Sequence, residues 1–236
     1  MSGTPRLRRL ASSCSLLLLL APSPSSAEPS EAGGLWLLGL GQGDLGSVHP
    51  ELQKARWWLD VQGRWREENH SLNAALVRPG LGWAVTERIA IFTGYAWITT
   101  DPADRSSFDE HRAWQQLLWR LPVEGFSLQS RTRLEQRVID RELGWRLREF
   151  VKATLPLTED RRLFLSGYDE LFIDLDETDW GQRAGFRQNR AFAGLGWRLD
   201  EKRGVTLEGG YLNQWISRRG RDRVNHILSL NLFLDF

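Results

Sequence analysis

From about residue 54 onward the chain alternates between apolar and polar positions, in segments of roughly ten to fourteen residues separated by turn-forming stretches. A period of two means extended strands with two different faces. Residues 54–66 set Trp57, Leu59, Val61 and Trp65 against Arg56, Asp60, Gln62 and Arg64. Residues 108–121 set Ala113, Leu117, Trp119 and Leu121 against Glu110, Arg112, Trp114, Gln116 and Arg120. Residues 126–137 set Phe126, Leu128 and Leu134 against Gln129, Arg131, Arg133, Glu135 and Arg137. The same scheme predicts strands over 72–85, 89–98, 144–155, 163–173, 186–199, 205–215 and 225–236, ten in all, with a weaker candidate at 35–41. The last strand carries Leu230, Leu232 and Leu234 on one face and stops on Phe236. An apolar ladder ending in an aromatic residue is similar to the C-terminal insertion signal of bacterial outer-membrane barrels.

The predicted fold is therefore all-β: a transmembrane, antiparallel, up-and-down β-barrel of 10–12 strands. Barrel strands alternate between lipid and lumen, so they need no long apolar run. Connections near 86–88, 122–125, 156–162 and 200–204 are short, and those near 99–107, 174–185 and 216–224 are longer and polar. That is the contrast between periplasmic turns and extracellular loops. Ten strands would leave both ends in the periplasm. An eleventh breaks the even-number rule, so 35–41 is expected either to lie outside the wall or to have an unrecognised twelfth companion.

The N-terminus reads as a cleaved signal peptide. Arg6, Arg8 and Arg9 are followed by the apolar Leu16 to Leu20 and by the small residues Ser25-Ser26-Ala27. The expected division is a signal peptide over 1–27, an N-terminal segment with a possible first strand over 28–53, and the barrel over 54–236. The single cysteine, Cys14, falls in the leader, which excludes disulfide chemistry from the mature chain.

Composition changes this picture in two ways. Twelve tryptophans among 236 residues suit aromatic girdles at membrane–water boundaries. A net charge of +1 gives no reason to expect nucleic acid as a partner. The competing reading is a Trp-rich soluble β-sandwich.

Energetics settle which face is which. An Arg on the lipid face near the midplane costs about 2–4 kcal/mol. With Arg131, Arg133, Arg137, Arg146 and Arg148 all outward the sum reaches about 10 kcal/mol, comparable to the stability of a whole domain. Arg must face in. Pairing Leu121 with Phe126 across the turn then puts Arg112 opposite Glu135, Glu110 opposite Arg137, Gln116 opposite Arg131 and Trp114 opposite Arg133. Glu135 is expected beside Arg146 or Arg148. The candidate site is thus a lumen charge network of Glu110, Arg112, Arg131, Arg133, Glu135, Arg137, Arg146, Arg148, Glu170 and Arg190.

These same stretches carry a family resemblance. Residues 108–116 (FDEHRAWQQ), 131–137 (RTRLEQR), 145–148 (WRLR), 168–172 (YDELF), 188–190 (QNR) and 210–214 (GYLNQ) resemble the uncharacterised bacterial proteins catalogued as domain of unknown function 2490. Leu35-Trp36 looks like that family's first strand. The resemblance covers nearly all of the mature chain. It implies an outer-membrane β-barrel and no assigned activity, and it brings no catalytic residues.

Three functions compete for the lumen. Long Arg and Glu side chains bridging a barrel of this size make a polar plug. A narrow pore with Arg in excess would favour anions. An enzyme needs a constellation. His49, His70, His111 and His226 show no metal-ligand spacing. His111 and His226 have lipid-facing parity, and Ser130 and Thr132 are too far along the strand to serve His111 as nucleophiles. Acid dyads drawn from Asp174, Asp176, Glu177 and Asp179 fall in a predicted outer loop, where such a run is ordinarily solvated. Gly194, Gly196, Gly209 and Gly210 lie within strands and mark bends or close packing rather than a phosphate loop. The expectation is a closed or narrow barrel in the bacterial outer membrane, in a structural or small-solute passage role. It is monomeric, without metal, cofactor or enzymatic activity. Its partners are outer-membrane lipid and, during insertion, the assembly machinery.

Overall fold

A computed structural model describes residues 28–67, 71–102, 106–200 and 204–236. The predicted leader and Cys14 lie outside the described residues, as does His70. Eleven strands close into one barrel: β1 (Ser30–Asp44), β2 (Ala55–Arg66), β3 (Leu72–Ala84), β4 (Ile89–Thr100), β5 (Phe108–Val123), β6 (Phe126–Ile139), β7 (Glu142–Pro156), β8 (Leu163–Asp174), β9 (Gly185–Asp200), β10 (Val205–Ile216) and β11 (Arg223–Asp235). The ten strands expected from alternation are present within a few residues of the predicted bounds. A closed barrel replaces the sandwich alternative.

The strand at 35–41 corrects both options held open for it. It belongs to the wall, it runs longer (Ser30–Asp44), and it has no twelfth companion. The barrel therefore begins at Ser30 rather than near residue 54. Consecutive hairpins reverse direction at every step, so an odd count leaves the first and last strands running the same way. Closure is accordingly parallel: Ser30 pairs with Arg223 and Gln42 with Asp235. Residue 28 thus sits at the end of the barrel opposite Phe236, where Arg221 donates to the carbonyls of Glu28 and Pro29. The expectation that both ends share one rim fails on this parity.

Connection lengths also divide less cleanly than the sequence suggests. The C-terminal rim carries turns at 85–88, 124–125 and 157–162, but also the connection 45–54 with its short 3-10 turn Pro50–Leu52. The opposite rim carries 101–107, 175–184 and 217–222, but also the two-residue turn Asp140-Arg141, both with positive φ.

Parity fixes the two faces as predicted. Outward positions are apolar over most of the circumference. Trp97 on β4 and Trp145 on β7 lie toward one rim, and Trp83, Trp119 and Trp197 toward the other. The sector β5–β9 is the exception. There Ser130 and Thr132 donate to Glu149 at 2.9 and 2.5 Å, Asn189 donates to both oxygens of Asp169 at 2.9 Å, and Gln115 pairs reciprocally with Gln136. Glu149 and Asp169 thus have their own neighbouring donors.

The interior is itself two-sided. Along β2–β5 it is an apolar cluster of Trp58, Leu76, Phe92, Ala96, Ile98, Trp114 and Leu118. Room for the Trp114 ring comes from Gly80 and Gly94, where any Cβ would overlap it. Along β5–β9 the interior is charged.

Candidate functional site

Two-residue connections at Glu124-Gly125 and Asp140-Arg141 set β5, β6 and β7 side by side. The strands flanking the first turn run on to Val123 and Phe126, and Gly125 takes the positive φ that so tight a turn requires. The predicted register is therefore off by two residues. Arg112 lies opposite Arg137, Trp114 opposite Glu135, and Gln116 opposite Arg133. A shift of two preserves facing, so the predicted ion pairs survive on the diagonal. Arg112 Nη1 is 3.1 Å from Glu135, and Arg137 Nε is 2.5 Å from Glu110. Arg112 also reaches Glu110 at 2.7 Å. Glu135 lies opposite Arg146 and bonds Arg148 at 2.6 Å, as expected.

All ten residues of the proposed network lie in the lumen. Glu170 accepts from Arg131 at 2.7 Å and Arg148 at 2.6 Å, with Arg190 at 3.6 Å. Arg133 is fully buried. Its Nε and Nη2 bond the Gln116 amide oxygen at 2.9 and 2.5 Å, its nearest carboxylate contact is Glu135 at 3.9 Å, and its Nη1 has no hydrogen-bond partner.

Sequence reasoning missed several members. Asp60 and Arg78 are direct cross-strand partners on β2 and β3, ion-paired at 3.1 Å and buried. Both were legible as inward charges, and only their pairing was needed to find them. Asp174 was assigned to an outer loop. Instead it ends β8, buried, 2.6 Å from Arg146 Nε. Asp176 and Glu142 are held locally, by the Trp145 and Asp179 backbone N–H groups. Lys152 bonds Glu208 at 2.5 Å.

The tryptophans serve more than a girdle. Trp36 lies between Arg64 and Arg190, at 4.2 and 4.8 Å from ring centroid to guanidinium. Trp114 lies under Arg133 at 4.6 Å, and Trp180 under Arg137 at 4.8 Å. An aromatic face attracts a cation that has no carboxylate to spare. Six buried arginines (Arg78, Arg133, Arg137, Arg146, Arg148, Arg190) match six buried carboxylates (Asp60, Glu110, Glu135, Glu170, Asp174, Glu208). Arg64, Arg112, Arg131 and Lys152 also point inward. Leaving aside the charges at the two rims, ten cations against six anions leave the interior at +4.

Along the axis these groups form layers. Trp114, Arg133 and Glu135 are fully buried at mid-height. On the C-terminal side lies a cavity of about 150 Å3. On the opposite side a wide basin of about 1080 Å3 is rimmed by Arg66, Arg183, Arg187, Arg218, Arg219 and Arg223.

His111 and His226 stay outside this network. His111 bonds Tyr95, His226 bonds Tyr211 at 2.6 Å, and each imidazole stacks on its tyrosine at about 6 Å. The corrected register puts Val138 opposite His111, Trp119 opposite Ser130 and Leu117 opposite Thr132. The serine and threonine are thus farther from His111 than predicted.

Fold and interior together define a closed eleven-stranded β-barrel with a charge-filled bore. By its sequence the chain belongs to a family described as protein of unknown function (DUF2490), whose profile matches residues 33–225. It is 35% identical over 227 residues to an uncharacterised protein of Methylorubrum extorquens, spanning 94% of this chain and 96% of that one. No solved structure matches it.

Proposed function

We propose that this protein is a monomeric outer-membrane β-barrel whose bore is kept shut by its own side chains, in a structural role in the envelope rather than as an open pore. The observation that carries this reading is the mid-height layer of Trp114, Arg133 and Glu135, each with essentially no solvent exposure. Membrane residence is supported by the apolar outer wall and the Trp residues toward its two rims. In this reading lipid is the surrounding solvent, and the apolar face Leu230, Leu232, Leu234 with Phe236 is what the assembly machinery recognises. Nucleic acid has no part, and the protein is not an enzyme. Phospholipid and peptide turnover are expected to be absent, and His111→Ala to change nothing in either assay.

Conductance of single refolded barrels in a planar bilayer tests the closed reading. A heat-modifiable, inserted and electrically silent barrel is expected. Steady current steps overturn it in favour of the second reading, an anion-preferring narrow pore, which the +4 excess of the lumen supports. In that case reversing charge at Arg131 or Arg133 shifts ion selectivity.

A further inference from the structure

The cavity below the mid-height layer differs from the rest of the bore. Its charged lining is Arg78, Arg131, Arg148, Arg190 and Lys152, against only Asp60 and Glu170. Lys152 is paired with Glu208, and Arg148 with Glu135 as well as Glu170, so the excess of positive charge around this space of about 150 Å3 rests on Arg78, Arg131 and Arg190, which share Asp60 and Glu170. Glu170 is already shared among three arginines. Arg78 and Arg190, both at least nine-tenths buried, each keep an Nε without a hydrogen-bond partner. Buried guanidinium N–H groups are costly to leave unmet, and the natural acceptor is a planar or tetrahedral oxyanion. The remaining lining is mixed: Trp36, Leu38, Leu40 and Phe150 with the polar Gln62, Ser229 and Asn231. Gln42, Gln129, Lys152 and Phe233 also line an adjoining space of about 240 Å3 that reaches Arg198 and Asp235 at the C-terminal rim. The cavity therefore continues toward that rim.

We infer that this pocket is a binding site for a small organic anion, a carboxylate or phosphate ester with a flat apolar body. A cavity of this volume holds a benzene-sized group. The acidic group meets Arg131, Arg148 and Arg190, and the apolar body lies against Leu38 and Leu40, since Trp36 already carries Arg64 and Arg190 and Phe150 carries Arg131. The inference rests on the closed-barrel reading, because an open bore would not retain a ligand at this depth.

The test is thermal unfolding of the full barrel in uncharged detergent, with benzoate, inorganic phosphate or benzyl alcohol as probes. A ligand that binds only the folded state raises Tm with its concentration. Benzoate is expected to raise Tm by about 5 °C at a hundredfold excess over its Kd, phosphate by less, and neutral benzyl alcohol not at all. Arg131→Gln, at a position less fully buried than Arg148 or Arg190, should weaken the benzoate effect at least tenfold, and Lys152→Gln, nearer the opening, by less. Equal shifts from benzoate and benzyl alcohol, or none from either anion, overturn the site even if Arg131→Gln fails to fold. So does a benzoate shift that Arg131→Gln leaves intact. Conductance fails separately: a barrel that passes steady current refutes the closed reading whatever the thermal data show.

Discussion

At the scale of single residues the interior runs on shared carboxylates. Glu135 serves Arg112 and Arg148 at once, and Glu110 serves Arg112 and Arg137. Removing one such acceptor leaves two buried cations short of a partner. Glu135→Ala should therefore destabilise the barrel by about 3–5 kcal/mol in equilibrium unfolding. A double-mutant cycle on Arg112 and Glu135 should give a coupling of about 0.5–3 kcal/mol, and zero coupling would contradict the 3.1 Å contact. The facing of these residues was readable from period two alone. Their partners were not, because a guanidinium reaches its diagonal neighbours as readily as its direct one. A wrong register therefore still gave the right pairs. Arg133 shows the opposite limit: a full charge held by Gln116 and the Trp114 ring has no signature in spacing.

At the scale of elements the informative cases are a turn, a strand and a glycine pair. Pro122 reads as a turn residue, yet it stays paired with Ser127 near the strand end, and that moves the register by two. Strand β1 shows weak alternation because both its faces meet apolar surroundings: Leu38 and Leu40 point inward while Leu35 and Leu37 point out. Its pairing is directly testable. Cysteines at Leu37 and Leu230, direct partners on β1 and β11, should cross-link on oxidation, whereas cysteines at Leu37 and Leu234 should not. Gly94 faces the Trp114 ring, so Gly94→Val should cost about 1–3 kcal/mol through overpacking. In the turn after β7, the Thr158 hydroxyl and the Arg162 backbone N–H hold the Asp160 carboxylate below the ordinary aspartate range. A depressed pKa stabilises the fold above the unfolded value, and that contribution is lost as pH falls through the folded value. An NMR titration should place the Asp160 midpoint low, and Thr158→Val should return it toward normal.

At the scale of the whole molecule the outer wall and the bore make different demands on the same residue type. In the proposed membrane setting, brominated lipid should quench Trp119 and Trp145, which face outward, and spare Trp114, which is buried. Replacing Trp119 with Phe should lower the quenchable fluorescence, and replacing Trp114 with Phe should leave it unchanged. The amino-acid sequence by itself determined the strands, their two faces and the inward charge, since a two-residue period and the cost of an outward Arg are local properties. Only the tertiary structure decided the count of eleven, the parallel seam between β1 and β11, and the burial of Trp114, Arg133 and Glu135 at mid-height. It also decided which of the inward charges line a common cavity. These follow from which strands meet when the sheet closes and from how side chains on facing walls fill a bore of fixed width. No single strand carries that information.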